Sequence, residues 1–187
     1  MPATIHINPS VPFDQAYWVV PDQFMAGCYP GAEHSADTRD KLRGLLAHGI
    51  RHIINLMESA EVNRKGKPFV PYEDQMTAIA RTMGCHVEIH HRPLRDYGVP
   101  THQAMKKLLD LIDGCIENNQ PIYLHCLGGL GRTGTVVGCY LARHGYATGP
   151  SVLKMIRMLR KNTATRNLSS PETDQQLELV CSWRQGE

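Results

Sequence analysis

The sequence predicts an α/β domain in three layers, a central and mostly parallel sheet flanked by helices. Two observations point there. Short apolar or β-branched runs alternate with amphipathic stretches at helical spacing through the middle of the chain. Two further helical stretches close it, and 42% apolar residues in 187 are enough for one core without a disulfide or metal staple.

Residues 1–16 carry three prolines and little periodicity, and read as an N-terminal arm before a single domain over 17–187. Runs at 17–20 and 24–28, split by Pro21-Asp22, predict a hairpin or two edge strands. Leu42, Leu45 and Leu46 mark a helix over 37–48 that stops at Gly49, and 50–57 is a buried strand. Residues 58–71 are polar and read as an exposed loop, with 72–83 a helix. A strand follows over 86–94, with Pro93 near its end, and then a loop over 95–100. Thr101 caps a helix to about 119 whose apolar stripe is Met105, Leu108, Leu109, Ile112 and Ile116. Residues 122–124 form a short apolar strand, and 133–144 is apolar on most faces, as a buried helix is. Amphipathic helices are expected over 151–161 and 171–183, the last with Ser170 as cap and Pro171 at its first position.

Charge and cysteine usage narrow the function. Twenty Lys+Arg against 18 Asp+Glu leave a formal net charge of +2, which by itself does not suggest a nucleic-acid or membrane-surface binder; any positive field would have to be local. No secretory leader is seen, and no uncharged apolar stretch is long enough for a spanning helix. The six cysteines are scattered without a Cys-x-x-Cys pair, so neither a disulfide framework nor a zinc site is expected. Reduced thiols in a cytoplasm, a monomer, and no metal or cofactor are the expectations.

The segment that carries chemistry runs from Tyr123 to Thr135. A strand enters it and a helix leaves it, and Cys126 and Arg132 are separated by Leu127, Gly128, Gly129, Leu130 and Gly131. Glycines let successive backbone N–H groups turn inward into an anion-binding concavity. The helix adds its positive N-terminal end. Arg132 offers a planar fork of donors for two phosphate oxygens, and the same field favours the thiolate of Cys126. A cysteine and an arginine at this separation are common by chance; the three glycines, the strand before and the helix after are what make a phosphate cup. The loop lacks the Gly-Lys-Ser/Thr ending of a nucleoside-triphosphate cradle.

His125-Cys126-x5-Arg132-Thr133-Gly134 resembles the protein-tyrosine-phosphatase superfamily, and its small dual-specificity-like branch in particular. The similarity extends from about Tyr17 to Trp183. It implies the superfamily's fold and a phosphomonoester hydrolase working through a Cys126 thiophosphate. It also implies an aspartate about 30 residues before the cysteine as general acid and then base. The match is Asp96, in Leu94-Arg95-Asp96-Tyr97-Gly98-Val99-Pro100, although Leu94-Arg95 stands where large members have Trp-Pro. Thr133 is then expected to donate to the departing thiolate, and His125 to order the loop. Glu172-Thr173-Asp174-Gln175-Gln176 resembles the loop that positions water in large members, with Gln176 the candidate and Glu172 replacing the first glutamine. A plain surface helix face is the rival reading of Gln176.

The implied substrate is a phosphorylated protein or peptide. An inositol phosphate, phosphoinositide or nucleotide is the alternative, although the loop interior has no lysine. A non-catalytic phosphate reader is the second alternative, weakened because Cys126, Arg132 and Asp96 are all present.

Overall fold

The structure is a computed structural model that describes residues 10–32, 35–63 and 65–187. The hairpin β1 (Ala16–Val20) and β2 (Phe24–Gly27) is followed by α1 (Ser35–Ala47), β3 (His52–Asn55), α2 (Glu73–Thr82), β4 (Glu88–His91), α3 (His102–Glu117) and β5 (Ile122–His125). Three helices finish the chain: α4 (Gly131–Arg143), α5 (Ser151–Leu159) and α6 (Asp174–Ser182). The sheet order is β1-β2-β5-β3-β4. Only β1 runs antiparallel to its neighbour; β2, β5, β3 and β4 pair in parallel.

The three layers follow from the two-residue alternation of the strands. Ile53, Tyr123 and Met25 face Leu42, Leu45 and Leu46 of α1 and Met76 and Ile79 of α2. Ile54, Leu124 and Ala26 face Leu109 and Ile112 of α3, Val136 and Val137 of α4 and Ile156 of α5. β5 lies in the middle, buried along its whole length. Burial on both faces is why it reads as a continuous apolar run. The loop leaving it therefore emerges at the centre of the carboxyl end of the sheet, where the chain crosses into α4.

Several boundaries move. Residues 1–9 of the expected arm lie outside the described residues. Residues 10–15 pack on the domain: Trp18 Nε1 donates to the Ser10 carbonyl, and Phe13 sits edge-on to Tyr123 with ring centres 6.0 Å apart. β2 is an interior strand, because the parallel β5 covers its second side. The last helix starts later than its proline suggests. Its cap is Thr173, whose hydroxyl accepts from Gln176 N while the Gln176 side chain returns to the Thr173 N–H. Ser170 instead donates its hydroxyl to the Leu130 carbonyl, 2.8 Å away, bracing the loop after β5.

Candidate active site

β5 delivers His125 and Cys126 into the turn that α4 closes. Gly129 sits at φ +69°, and a Cβ there would lie 2.5–2.7 Å from the backbone of Gly27 and Cys28. Only glycine fits both the left-handed backbone and the close approach to β2. Tyr29 N donates to the Leu127 carbonyl at 3.0 Å, fixing the other side of the turn. Cys126, Leu130 and Gly131 are buried, whereas Leu127 and Gly128 are exposed. The glycine-rich turn is thus anchored at both ends and exposed at its middle.

Arg132 is the hub. Its side chain is 1% exposed, yet it reaches four residues on two other segments, the loops after β3 and β4. Both terminal nitrogens bond the two carboxylate oxygens of Glu61, the second at 3.0 Å. Nη1 also donates to the carbonyls of Leu56 at 3.3 Å and Leu94 at 3.2 Å. Nη2 lies 3.1 Å from Asp96 Oδ1. Burial works against the arginine's charge, but the Glu61 hydrogen bond and the nearby Cys126, Glu61 and Asp96 outweigh it and hold the guanidinium firmly protonated. Burial likewise raises the Glu61 carboxyl, but the bond from Arg132, the Glu58 backbone and the Arg132 charge together outweigh it, so its net shift is down. Arg132 Nε and Thr133 Oγ1 are buried polar atoms without a protein hydrogen-bond partner among the described residues. Donors left in this way at the start of a helix suit an anion.

Asp96, on the loop after β4, is half exposed and accepts from Tyr97 N at 3.2 Å. That loop is tied to the start of α6: Gln176 Nε2 donates to the Gly98 carbonyl at 3.0 Å, and the Thr173 hydroxyl to the Tyr97 carbonyl at 3.4 Å. These contacts set the loop beside the Cys126 turn, with Asp96 against Arg132.

Gln176 is completely buried, so the surface-face reading of it fails. Its amide oxygen accepts from Glu172 N and Thr173 N, and its amide nitrogen serves Gly98. Glu172 comes nearer to the loop: its carboxylate takes the Gly131 backbone N–H and would collide with a Cβ on Gly131 at 2.5 Å. Burial raises the Glu172 carboxyl, and the Asp96 charge adds to this against Gly131, Arg132 and Arg160.

His125 lies beneath Cys126, wholly buried. Its Nδ1 is 3.1 Å from the Cys126 carbonyl, which can only accept, so Nδ1 carries the proton. Nε2 then accepts from the Tyr72 hydroxyl at 2.7 Å. Burial, and then the nearby Arg132 and His91 charges, bring the imidazole down to about 4, while burial pushes the Tyr72 hydroxyl well up. The pair is a neutral histidine and a protonated tyrosine, a fixed brace under Cys126.

Glu61 and Tyr72 escaped the sequence reading. Glu61 lies within the stretch read as an exposed loop, 71 positions from its partner, and no spacing marks it. Tyr72 was read as the start of a helix; it precedes α2, and its ring turns into the core.

The family model for "Tc-R-P: Polymorphic toxin system, DSP-PTPase phosphatase" matches residues 29–146. The human dual specificity protein phosphatase CDC14C is 26% identical over 143 residues, covering 76% of this chain and 29% of the relative, so the chain spans under a third of that protein. Among solved structures, Tk-PTP in its active form has a TM-score of 0.62 at 21% identity, covering 89% of this chain and 93% of that one. The core catalytic domain of the PP-IP phosphatase SIW14 from S. cerevisiae, in complex with citrate, has a TM-score of 0.60 at 19% identity, covering 93% of this chain and 88% of that one. These two likenesses establish a shared fold, the three-layer α/β architecture of the protein tyrosine phosphatases. With the family's model spanning β3, β4 and β5, the loop that carries Asp96 and the Cys126 loop, this chain belongs to the DSP-PTPase phosphatases of the Tc-R-P family.

Proposed function

We propose that the chain hydrolyses phosphomonoesters by way of a Cys126 thiophosphate, acting on phosphorylated tyrosine, and on serine or threonine where they reach the cup. The observation that carries this reading is the meeting of three segments on one buried guanidinium: Arg132 of the cysteine loop holds Asp96 of the acid loop at 3.1 Å and is itself fixed by Glu61. A phosphate dianion takes Arg132 Nε and the loop amides, which hold its equatorial oxygens as charge redistributes. Cys126 attacks phosphorus in line, the S–P bond forms as the P–O bond breaks, and Asp96 gives its proton to the departing oxygen. Water then attacks the thiophosphate, Asp96 takes a proton from it, and Thr133 donates to the released thiolate.

The surroundings favour a protein substrate. A cavity of about 330 Å³ beside Leu127 is lined by Tyr29, Phe69, Val70 and Lys41. An aromatic and aliphatic wall with one cation suits a side chain and its peptide better than a polyphosphate. The small-molecule reading rests on the likeness to a domain titled a PP-IP phosphatase. No helix among the described residues is long and apolar enough to cross a membrane, and all six cysteines are unbridged, as a thiol nucleophile working in a reducing compartment needs.

The test is turnover of p-nitrophenyl phosphate by wild type, Cys126→Ser and Asp96→Ala, followed by a ranking of phosphopeptides, inositol phosphates and nucleotides by kcat/KM. Loss of turnover in Cys126→Ser and retention of substrate by inactive Asp96→Ala are expected. Undiminished turnover in Cys126→Ser overturns the mechanism, and an inositol phosphate ranked first overturns the substrate class.

A further inference from the structure

At the end of the sheet away from Cys126, β3 and β4 begin side by side, with His52 opposite Glu88 and Ile54 opposite His90. Side chains alternate along a strand, so His52, Glu88 and His90 share one face. It is the face on which Ile54 packs with α3, and Cys115 in the last turn of α3 is buried in that same cluster. The four side chains therefore come from three elements and converge at the edge strand.

The details are those of a donor set. One donor atom each from His52, His90 and Cys115 lie within 4.8 Å of one another. His52 Nδ1 and His90 Nε2 approach to 2.8 Å, and their rings stack at a 7° interplanar angle. Glu88 stands 3.6 Å from His90 Nδ1 and 4.0 Å from His52 Nδ1. A carboxylate on the far nitrogen is the usual device for orienting a ligating imidazole, and here it leaves His90 Nε2 for the metal.

We propose that His52 Nδ1, His90 Nε2 and Cys115 Sγ bind a borderline-soft divalent transition metal of the zinc class, with Glu88 as the accompanying carboxylate. Two imidazoles and a thiolate select zinc, cobalt or copper over magnesium and calcium, which take oxygen donors. Cys115 gives up its S–H proton to solvent on binding, so the thiolate and Glu88 together balance the two positive charges. At bond lengths of about 2.0 Å, tetrahedral Zn–N bonds place two nitrogens about 3.3 Å apart. The imidazoles need separate by only about half an ångström from the present 2.8 Å. Both are partly exposed, and Glu88 is more than half exposed, which leaves a path for the ion from solvent. The sequence hides the site because its residues stand 38 and 25 positions apart instead of in a Cys-x-x-Cys pattern. The absence of a zinc site expected from cysteine spacing does not extend to a cluster assembled by strand pairing.

The experiment is a cobalt(II) titration of the whole chain, reading the thiolate-to-cobalt charge-transfer absorption, with zinc(II) competition. Because Cys126 is itself a thiol, the titration is repeated in Cys126→Ser. The expected result is a one-equivalent band in wild type and in Cys126→Ser that zinc displaces, and its loss in Cys115→Ser. Glu88→Gln should weaken binding by about 10–100-fold. Should Cys115→Ser fail to fold, His52→Ala and His90→Ala, which keep the core thiol, decide the matter by equilibrium dialysis against zinc(II), with their phosphatase turnover reporting folding. No band in wild type, a band that survives Cys115→Ser, a band lost with Cys126→Ser, or stoichiometric zinc retained by both histidine variants overturns the proposal.

Discussion

The Glu61 carboxylate grips both terminal nitrogens of Arg132, and it does so from a surface loop 71 residues away in sequence. The bond fixes the plane of the guanidinium, so that Nε, which has no partner among the described residues, keeps a single direction. Glu61→Gln keeps the shape but loses the charge; Glu61→Ala loses both. Since displacement of a positioning group by about 1 Å can cost about 100-fold, kcat/KM for p-nitrophenyl phosphate should fall by roughly 10–100-fold in Glu61→Ala and less in Glu61→Gln. Removing one partner of a buried ion pair also costs about 3–5 kcal/mol, an upper figure here because Leu56, Leu94 and Asp96 remain on Arg132. Wild-type kcat/KM in Glu61→Ala would show that Arg132 orients itself.

A methyl group at position 129 tests the other support of the cup. Gly129→Ala must place Cβ within 2.7 Å of β2 backbone while holding φ at +69°. Neither neighbour is a flexible side-chain end, so the loop has to move. Strained backbone of this kind costs about 1–3 kcal/mol, and the clash adds to it. Turnover should drop by at least about 100-fold, because the amides that hold the phosphate move with the chain. Gly128→Ala is the control: a Cβ there meets only Leu130 carbons at 3.8–3.9 Å. Equal losses in the two variants would mean that β2 does not brace the turn.

Legibility followed locality. Cys126 and Arg132 were readable because one turn holds both, and the glycines between them need special backbone angles or room for neighbours. β5 was readable because burial on both faces leaves a continuous apolar run. Asp96 needed the family resemblance, since an aspartate before Tyr-Gly is also an ordinary turn residue. Glu61 and Tyr72 were not readable at all. Their partners, Arg132 and His125, are reached only when β3 and β5 pair and carry their following loops to the same end of the sheet. Gln176 was left between two roles for a related reason. Its spacing fits a helix face, and only the packing of α6 on α4 buries it. The late start of α6 was a competition between two start signals, Ser170-Pro171 and Thr173 with Gln176; the second satisfies two backbone N–H groups and wins.

Glu172 makes the cup sensitive to pH. Its carboxylate occupies the Gly131 N–H, a donor that a phosphate would otherwise compete for, and burial raises its proton affinity. Above the raised value it is charged and repels a dianion; below it, the proton removes the repulsion. KM should therefore fall as pH is lowered through the region just above the ordinary glutamate range, and Glu172→Gln should flatten that dependence while lowering KM at neutral pH. Parallel pH profiles of KM for wild type and Glu172→Gln would show that the carboxylate does not face the substrate. Gln176→Ala has a different signature, because its amide ties Gly98 to α6. Loosening the acid loop should lower kcat more than it raises KM, by about 10-fold at most given that Asp96 keeps Arg132.

His125 links the nucleophile's support to the stability of the whole domain. In the unfolded chain its imidazole titrates near 6.5, whereas burial brings it to about 4 in the fold. Between those values the unfolded chain holds a proton that the folded protein refuses. More protons on the unfolded state means that stability rises with pH across this window, and that the fold is weakened as pH drops from about 6.5 towards 4. At roughly 1.4 kcal/mol per pH unit, the contribution is on the order of 3 kcal/mol. His52 and His90 are lowered as well and add to the same slope. Protonation at Nε2 would also turn an acceptor into a donor facing the Tyr72 hydroxyl, which burial holds protonated and donating, so the buried bond opposes it too. Urea midpoints measured at half-unit steps from pH 4 to 7 should climb with pH in wild type. In His125→Asn the absolute stability will differ, because the Tyr72 bond is rebuilt, but the slope should shrink by the His125 share. Superimposable slopes in the two proteins would mean that the ring beneath Cys126 takes up a proton as readily folded as unfolded, which a wholly buried imidazole donating to one carbonyl and accepting from one tyrosine has no means of doing.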